Sequence, residues 1–210
     1  MGIDKTIKIF TDDIKLEGIL NLPAKAKSIV LFAHGSGSDR FSPRNTFVAR
    51  VLQEADIGTL LFDLLTKEED ALYENRFNID LLAERLIAAT KWVLTNPETK
   101  NLRIGYFGAS TGAAAALQAS TKIPSVFAIV SRGGRPDLAK NYLPKVKAPV
   151  LLIVGEYDEA VIELNKEAYD KIKAEKKLVI VPKATHLFEE PGALEEVAKL
   201  AKDWFLKYLK

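Results

Sequence analysis

Apolar residues recur along this chain in two alternating rhythms. Short, nearly continuous apolar runs rich in β-branched and aromatic residues occur at Ser28–Ala33, Thr59–Asp63, Leu102–Phe107, Ser125–Val130, Val150–Val154 and Leu178–Val181. Runs of that length and composition predict strands buried on both faces. Between them lie segments with apolar positions at helical spacing, most clearly Ile79, Leu82, Leu86, Ala89 and Val93, which predict a helix over about 78–95. Further helices are expected over about 43–55, 160–174 and 192–208, the first marked by Ser42 as cap and Pro43 in the first turn. At the start, Thr6–Thr11 and Ile14–Leu22 flank Asp12-Asp13 and predict an antiparallel hairpin. The segment from Thr66 to Phe77 reads as a polar connection, with a small mobile flap carrying Tyr73 or Phe77 to a substrate pocket as the alternative role for residues 65–77, and a short piece of structure is expected near 137–141. Strands alternating with amphipathic helices make an α/β fold: one mostly parallel central sheet with helices on both faces. No linker, repeat or low-complexity stretch divides the chain, so residues 1–210 are expected to form a single domain.

In such a sheet the reactive loops gather at the carboxyl ends of the strands, and one of these carries the most specific motif. Gly108-Ala109-Ser110-Thr111-Gly112 lies between an apolar strand and the alanine-rich segment Ala113–Gln118. A strand that turns directly into a helix crowds the residues on either side of the turn, and glycines relieve the crowding. Ser110 is then held at the tip, beside the unpaired N–H groups and positive dipole end of the new helix.

A serine hydroxyl needs a general base, and the chain has two histidines. His186 follows the serine and sits just after a predicted strand, in the chain order serine, acid, histidine of this architecture. An acid is expected between them, to orient the imidazole. The loop after Val150–Gly155 holds Glu156, Asp158 and Glu159; Asp158 is the favoured candidate, although a helix cap for the segment beginning near Ala160 is the competing role for it. The other histidine, His34, precedes Gly35-Ser36-Gly37 at the end of an early strand. That glycine-rich loop is placed to contribute the Ser36 N–H to an oxyanion hole, with the Thr111 N–H as the second donor. His34 is expected to shape the loop by a side-chain hydrogen bond or to line the substrate site.

Composition narrows the chemistry. With no cysteine, a thiol nucleophile, a disulfide and a thiolate metal site are excluded, and two histidines make a multi-histidine metal centre unexpected. No metal or cofactor is called for. Thirty basic against twenty-eight acidic residues give a formal charge of +2 with both signs interspersed, so neither nucleic acid nor a membrane surface is an expected partner. No stretch reaches the ~18 apolar residues of a membrane helix, and the N-terminal residues do not read as a secretion signal. A cytoplasmic enzyme acting on a small molecule is the expectation.

With Ser110, Asp158, His186 and the Gly35–Gly37 loop in place, the chain resembles the α/β-hydrolase superfamily over nearly its whole length. It is most similar to the small dienelactone-hydrolase-related group, being compact, opening with a hairpin and lacking a large lid domain. The resemblance implies a Ser110–His186–Asp158 triad, an oxyanion hole at Ser36 and Thr111, and hydrolysis of a small ester, lactone or thioester through an acyl-enzyme. Two positions depart from that group: dienelactone hydrolases carry cysteine where this chain has Ser110, and glutamate where it has Gly35. Acyl transfer or perhydrolysis on the same residues, and a non-catalytic binding module of hydrolase shape, are the alternative functions. Ser131-Arg132-Gly133-Gly134-Arg135-Pro136-Asp137 follows a predicted strand and is expected on the catalytic rim. There Arg132 or Arg135 would clamp an anionic group of the substrate, unless Arg135 is tied to Asp137.

Overall fold

The computed structural model describes residues 2–11 and 14–209. Eight strands form one sheet in the order β1-β2-β4-β3-β5-β6-β7-β8. They are β1 (Ile3–Phe10), β2 (Lys15–Leu22), β3 (Ser28–Ala33), β4 (Gly58–Phe62), β5 (Arg103–Ala109), β6 (Val126–Arg132), β7 (Val150–Gly155) and β8 (Lys176–Val181). The β1–β2 and β2–β4 pairs are antiparallel, and all the others are parallel. The opening hairpin is therefore present in its strands, while its Asp12-Asp13 turn lies outside the described residues.

Alternation along each parallel strand divides two apolar layers. Ile29 and Leu31 of β3 pack toward α3 (Ile79–Thr95), α4 (Thr111–Ser120) and α5 (Glu159–Lys171). Val30 and Phe32 pack toward α1 (Pro43–Glu54) and α6 (Ala193–Tyr208). The six residues of β3 and of β7 are all buried, as the uninterrupted apolar runs require. Inside the first layer Thr90 Oγ1–H donates to the Leu86 carbonyl at 2.7 Å, and the Tyr106 phenol bonds Thr90 at 2.6 Å. Both buried hydroxyls are thus satisfied, and burial pushes the Tyr106 phenol well above its ordinary range. Among the described residues no helix is long and apolar enough to cross a membrane.

Two elements differ from the sequence expectation. The Thr66–Phe77 connection is structured, with α2 (Lys67–Asp70) followed by a 3-10 turn at Tyr73–Phe77. Thr66 and Glu69 form a reciprocal capping box, Glu69 also pairs with Arg85, and Arg76 donates to the Asp70 carbonyl and carboxylate. These are polar bonds between residues that hydrophobic periodicity passes over. The second difference is that β6 runs two residues further than its apolar run, through Ser131 and Arg132.

Candidate active site

Only Ser110 separates β5 from α4. Its backbone sits at φ 50° and ψ −120°, a conformation costing an L-residue on the order of 1–3 kcal/mol. Three backbone bonds hold it: Ser110 N–H donates to Arg132 O at 3.3 Å, and Ser110 O accepts from Arg135 and Ala113 N–H, each at 3.1 Å. Close packing fixes the turn from the sides. A Cβ on Gly108 would lie 2.4 Å from Ala113 Cα, and one on Gly112 would lie 2.1 Å from the Ala33 carbonyl oxygen. Gly112→Ala is accordingly expected to destabilise the protein by about 3 kcal/mol, read as a lower denaturant midpoint; an unchanged midpoint would contradict the tight elbow.

The acid and the imidazole meet across the sequence. Asp158 occupies the N-cap position of α5, yet its side chain makes no capping bond; its Oδ2 instead accepts from His186 Nδ1–H at 2.6 Å. The two roles weighed for Asp158 are separated in favour of the imidazole. Glu156 is used differently, its carboxylate accepting the Lys183 N–H at 2.7 Å. Tyr157 N–H donates to the Ala184 carbonyl at 2.9 Å, and the Glu190 carboxylate accepts from Thr185 N–H and Oγ1–H. Acid loop and histidine loop are thereby joined. Gly133, at φ 52°, lies against His186: a Cβ there would stand 3.4 Å from the imidazole Cε1. Asn165, fully buried, secures this loop by donating to the Gly134 carbonyl at 3.0 Å. Among the described residues no hydrogen bond joins Ser110 Oγ to His186 Nε2; bonds of this type commonly close only around substrate.

Ser36 and Thr111 line one small cavity together with His34, Gly35, Gly37, Leu65, Asp70 and Arg76. Thr111 opens α4, so its N–H is one of those a helix start leaves without an intrahelical acceptor. The loop that carries Ser36 is tied at both ends to two consecutive residues after β4. At one end His34 Nε2 accepts the Leu64 N–H at 2.9 Å, while Nδ1 meets the Gly35 carbonyl at 3.0 Å. An amide only donates and a carbonyl only accepts, so this imidazole is neutral with its proton on Nδ1. At the other end the Asp63 carboxylate accepts the Arg40 N–H at 2.8 Å and pairs with its guanidinium, which also reaches Glu17 at 2.7 Å.

Two expected results follow from these ties. Arg40→Met should lower kcat by roughly tenfold to a hundredfold with a smaller change in KM, because the loop loses position rather than a substrate contact; an unchanged kcat would remove Arg40 from that role. His34 is held below its ordinary pKa of 6.5 chiefly by burial, against smaller upward pulls from the Gly35 carbonyl and Asp63. The unfolded chain therefore binds a proton that the folded one refuses, and stability is lost as pH falls below 6.5, by at most about 1.4 kcal/mol per pH unit for this single group. Urea midpoints between pH 7.5 and 5.5 should show that slope, and His34→Gln should flatten it.

Arg132 is not placed as a substrate ligand, Arg135 is paired with Asp137, and His34 lines the Ser36–Thr111 cavity with both ring nitrogens bonded. Arg132 is the last residue of β6, and strand alternation turns it into the α1–α6 layer. It is 6% exposed, donates to Asn45 Oδ1 at 3.3 Å and stands over the Phe188 ring. Burial first, and then repulsion from Arg44, bring its pKa down to about 10. Arg135 spends two donors on Asp137, at 2.9 and 2.8 Å, and both ring nitrogens of His34 are engaged. Sequence reading gave Asp63 no role; an aspartate at a strand end carries no local signal of what it faces.

This arrangement is a strained serine at a helix start, an imidazole oriented by a carboxylate, and a small cavity lined by Ser36 and Thr111. The sequence profile of the dienelactone hydrolase family matches residues 28–210. The chain belongs to that family. A crystallographically determined dienelactone hydrolase from Anabaena variabilis is 54% identical, with each chain covered over 99% or more and a TM-score of 0.96. Esterase Pf2001 of Pyrococcus furiosus has the same fold, with a TM-score of 0.84 at 20% identity over 100% of this chain and 92% of its own. A Mycobacterium tuberculosis protein named provisionally as a phosphoribosyl transferase is 54% identical over 207 residues, 98% of this chain. The chain spans about half (47%) of that relative's length. Family and fold together support hydrolase chemistry.

Proposed function

We propose that the protein is a serine hydrolase of small esters, lactones or thioesters, working through an acyl-enzyme on Ser110. The observation that carries this reading is the 2.6 Å bond from His186 Nδ1 to Asp158. With its Nδ1 proton committed to the carboxylate, the imidazole presents a basic Nε2. His186 takes the Ser110 proton as Oγ adds to the acyl carbon, and the developing oxyanion is received by the Ser36 and Thr111 N–H groups. Collapse expels the alcohol or thiol, protonated by His186. Water, deprotonated by the same imidazole, then attacks the acyl-serine and releases the acid. The chemistry assigns no role to a metal or cofactor. Because Arg132 and Arg135 are engaged within the protein, an anionic substrate group is not part of this reading.

The activity in the mycobacterial relative's name is assigned, in this reading, to the half of its length that this chain does not span. Incubation with phosphoribosyl pyrophosphate and a nucleobase is expected to release no pyrophosphate. The direct test is a fluorophosphonate probe on the folded protein, with the labelled peptide identified by mass. Labelling of Ser110 that is lost on heat denaturation is the expected result, and an unlabelled folded protein would overturn the proposal.

A further inference from the structure

Large apolar side chains are exposed unevenly over this surface. Among the described residues, seven of eleven lie in loops at the carboxyl end of the parallel sheet, around the candidate site. Phe41, Leu72, Tyr73 and Phe77 flank the Ser36 loop, while Leu138, Tyr157 and Leu187 lie beside the acid and histidine loops. Isolated exposed apolar residues need no explanation, but their concentration around a reactive cleft does.

Tyr73 and Phe77 are the best-defined members. Their ring centroids are 5.3 Å apart at 51°, a tilted aromatic pair, although the two residues are 67% and 42% exposed. They belong to the 3-10 turn, in which side chains at i and i+3 eclipse, so Tyr73 shares a side with Arg76. Arg76 faces the oxyanion loop, its Nη1 lying 3.7 Å from where a Gly37 Cβ would be, and it lines the same cavity as Ser36 and Thr111. The turn is braced: Arg76 bonds Asp70 twice, Asn75 donates to the Glu69 carbonyl at 2.8 Å, and Glu69 pairs with Arg85. Two aromatic rings are thus held on the same braced turn as Arg76, which reaches the Ser36 loop, and both residues are exposed.

We infer that the substrate carries an aryl or similarly broad apolar group and that Tyr73 and Phe77 form the wall that receives it. The inference rests on the hydrolase reading above and names its substrate class. Aryl stacking against a pre-positioned pair gains both buried area and ring geometry, while the bracing lowers the ordering cost of binding.

The test compares kcat/KM for vinyl cinnamate, phenyl acetate and vinyl acetate, in true solution, for the wild type and for Tyr73→Ser/Phe77→Ser. The substitutions lie on the surface, and thermal melts check the fold. The wild type should prefer at least one aryl ester over vinyl acetate, and the double variant should reduce that ratio by roughly tenfold. No aryl preference, an undiminished ratio, or equal losses on all three esters would overturn the inference. A wild-type rate that jumps only above the solubility limit of vinyl acetate, and no longer does so in the variant, would assign the patch to a lipid surface and likewise overturn it. If no ester is turned over and Ser110 is not labelled, the hydrolase reading itself fails. Calorimetry with ethyl cinnamate then still decides the aryl wall: weaker binding to the variant supports it and equal binding refutes it.

Discussion

Ser110→Ala is expected to lower ester turnover by about 10⁴-fold or more while the protein stays folded. The loss is large because Oγ supplies the new covalent bond: there is no cysteine in the chain to take its place, and His186 is turned with Nδ1 toward Asp158. The fold should survive because the bonds that hold this residue run through its backbone N–H and carbonyl, to Arg132, Arg135 and Ala113, and alanine retains them. Alanine meets the same positive-φ strain as serine, so the melting temperature should shift by only a few degrees. Steady-state hydrolysis together with thermal melts checks both halves. Full activity in the variant would move the chemistry to another residue.

Asp158→Asn is the second large effect, expected at about 10³ to 10⁴-fold in kcat. The carboxylate does two things at once: it accepts the Nδ1 proton, leaving Nε2 free to take one, and it stabilises the imidazolium formed in the transition state. An asparagine can present its NH₂ to Nδ1 and so stabilise the wrong tautomer, with the proton on Nε2. Stability should change little, since the Asp158 side chain makes no capping bond to α5 and asparagine is itself a good cap. The measurement that separates catalysis from structure is the pH profile of kcat. A purely structural role would lower activity at every pH without moving the profile, and a loss below tenfold would leave Asp158 without the orienting function.

Much of the fold was legible because burial on both faces leaves an unmistakable pattern. The fully buried β3 and β7 are continuous apolar runs in the sequence. The Gly108–Gly112 turn was equally open to reading, because the crowding at Gly108 and Gly112 demands glycines just where an apolar strand meets an alanine-rich helix. The connection after β4 was not legible. Its order comes from a capping box and from ion pairs to Arg85 and within Asp70–Arg76, and such bonds have no periodicity. Arg132 was misplaced for a related reason: its apolar run stops at Val130, yet the ladder with β7 continues to Arg132, so pairing rather than hydrophobicity set where the strand ends and where the guanidinium goes.

By itself the sequence determined the layered architecture and singled out Ser110, Asp158 and His186 as the candidate site. Alternating apolar periods, two glycines around a serine, and a chain with two histidines and no cysteine leave few other solutions. Only the tertiary structure decided how those residues are used. It turned Asp158 away from capping α5 and onto His186, engaged both nitrogens of His34 with the Leu64 and Gly35 backbone, buried Arg132 and paired Arg135 with Asp137. The physical reason is that burial and helical spacing are summed over many residues close in the chain. A hydrogen bond or an ion pair is instead decided by a single partner, and for these residues that partner is set by how the loops meet in space.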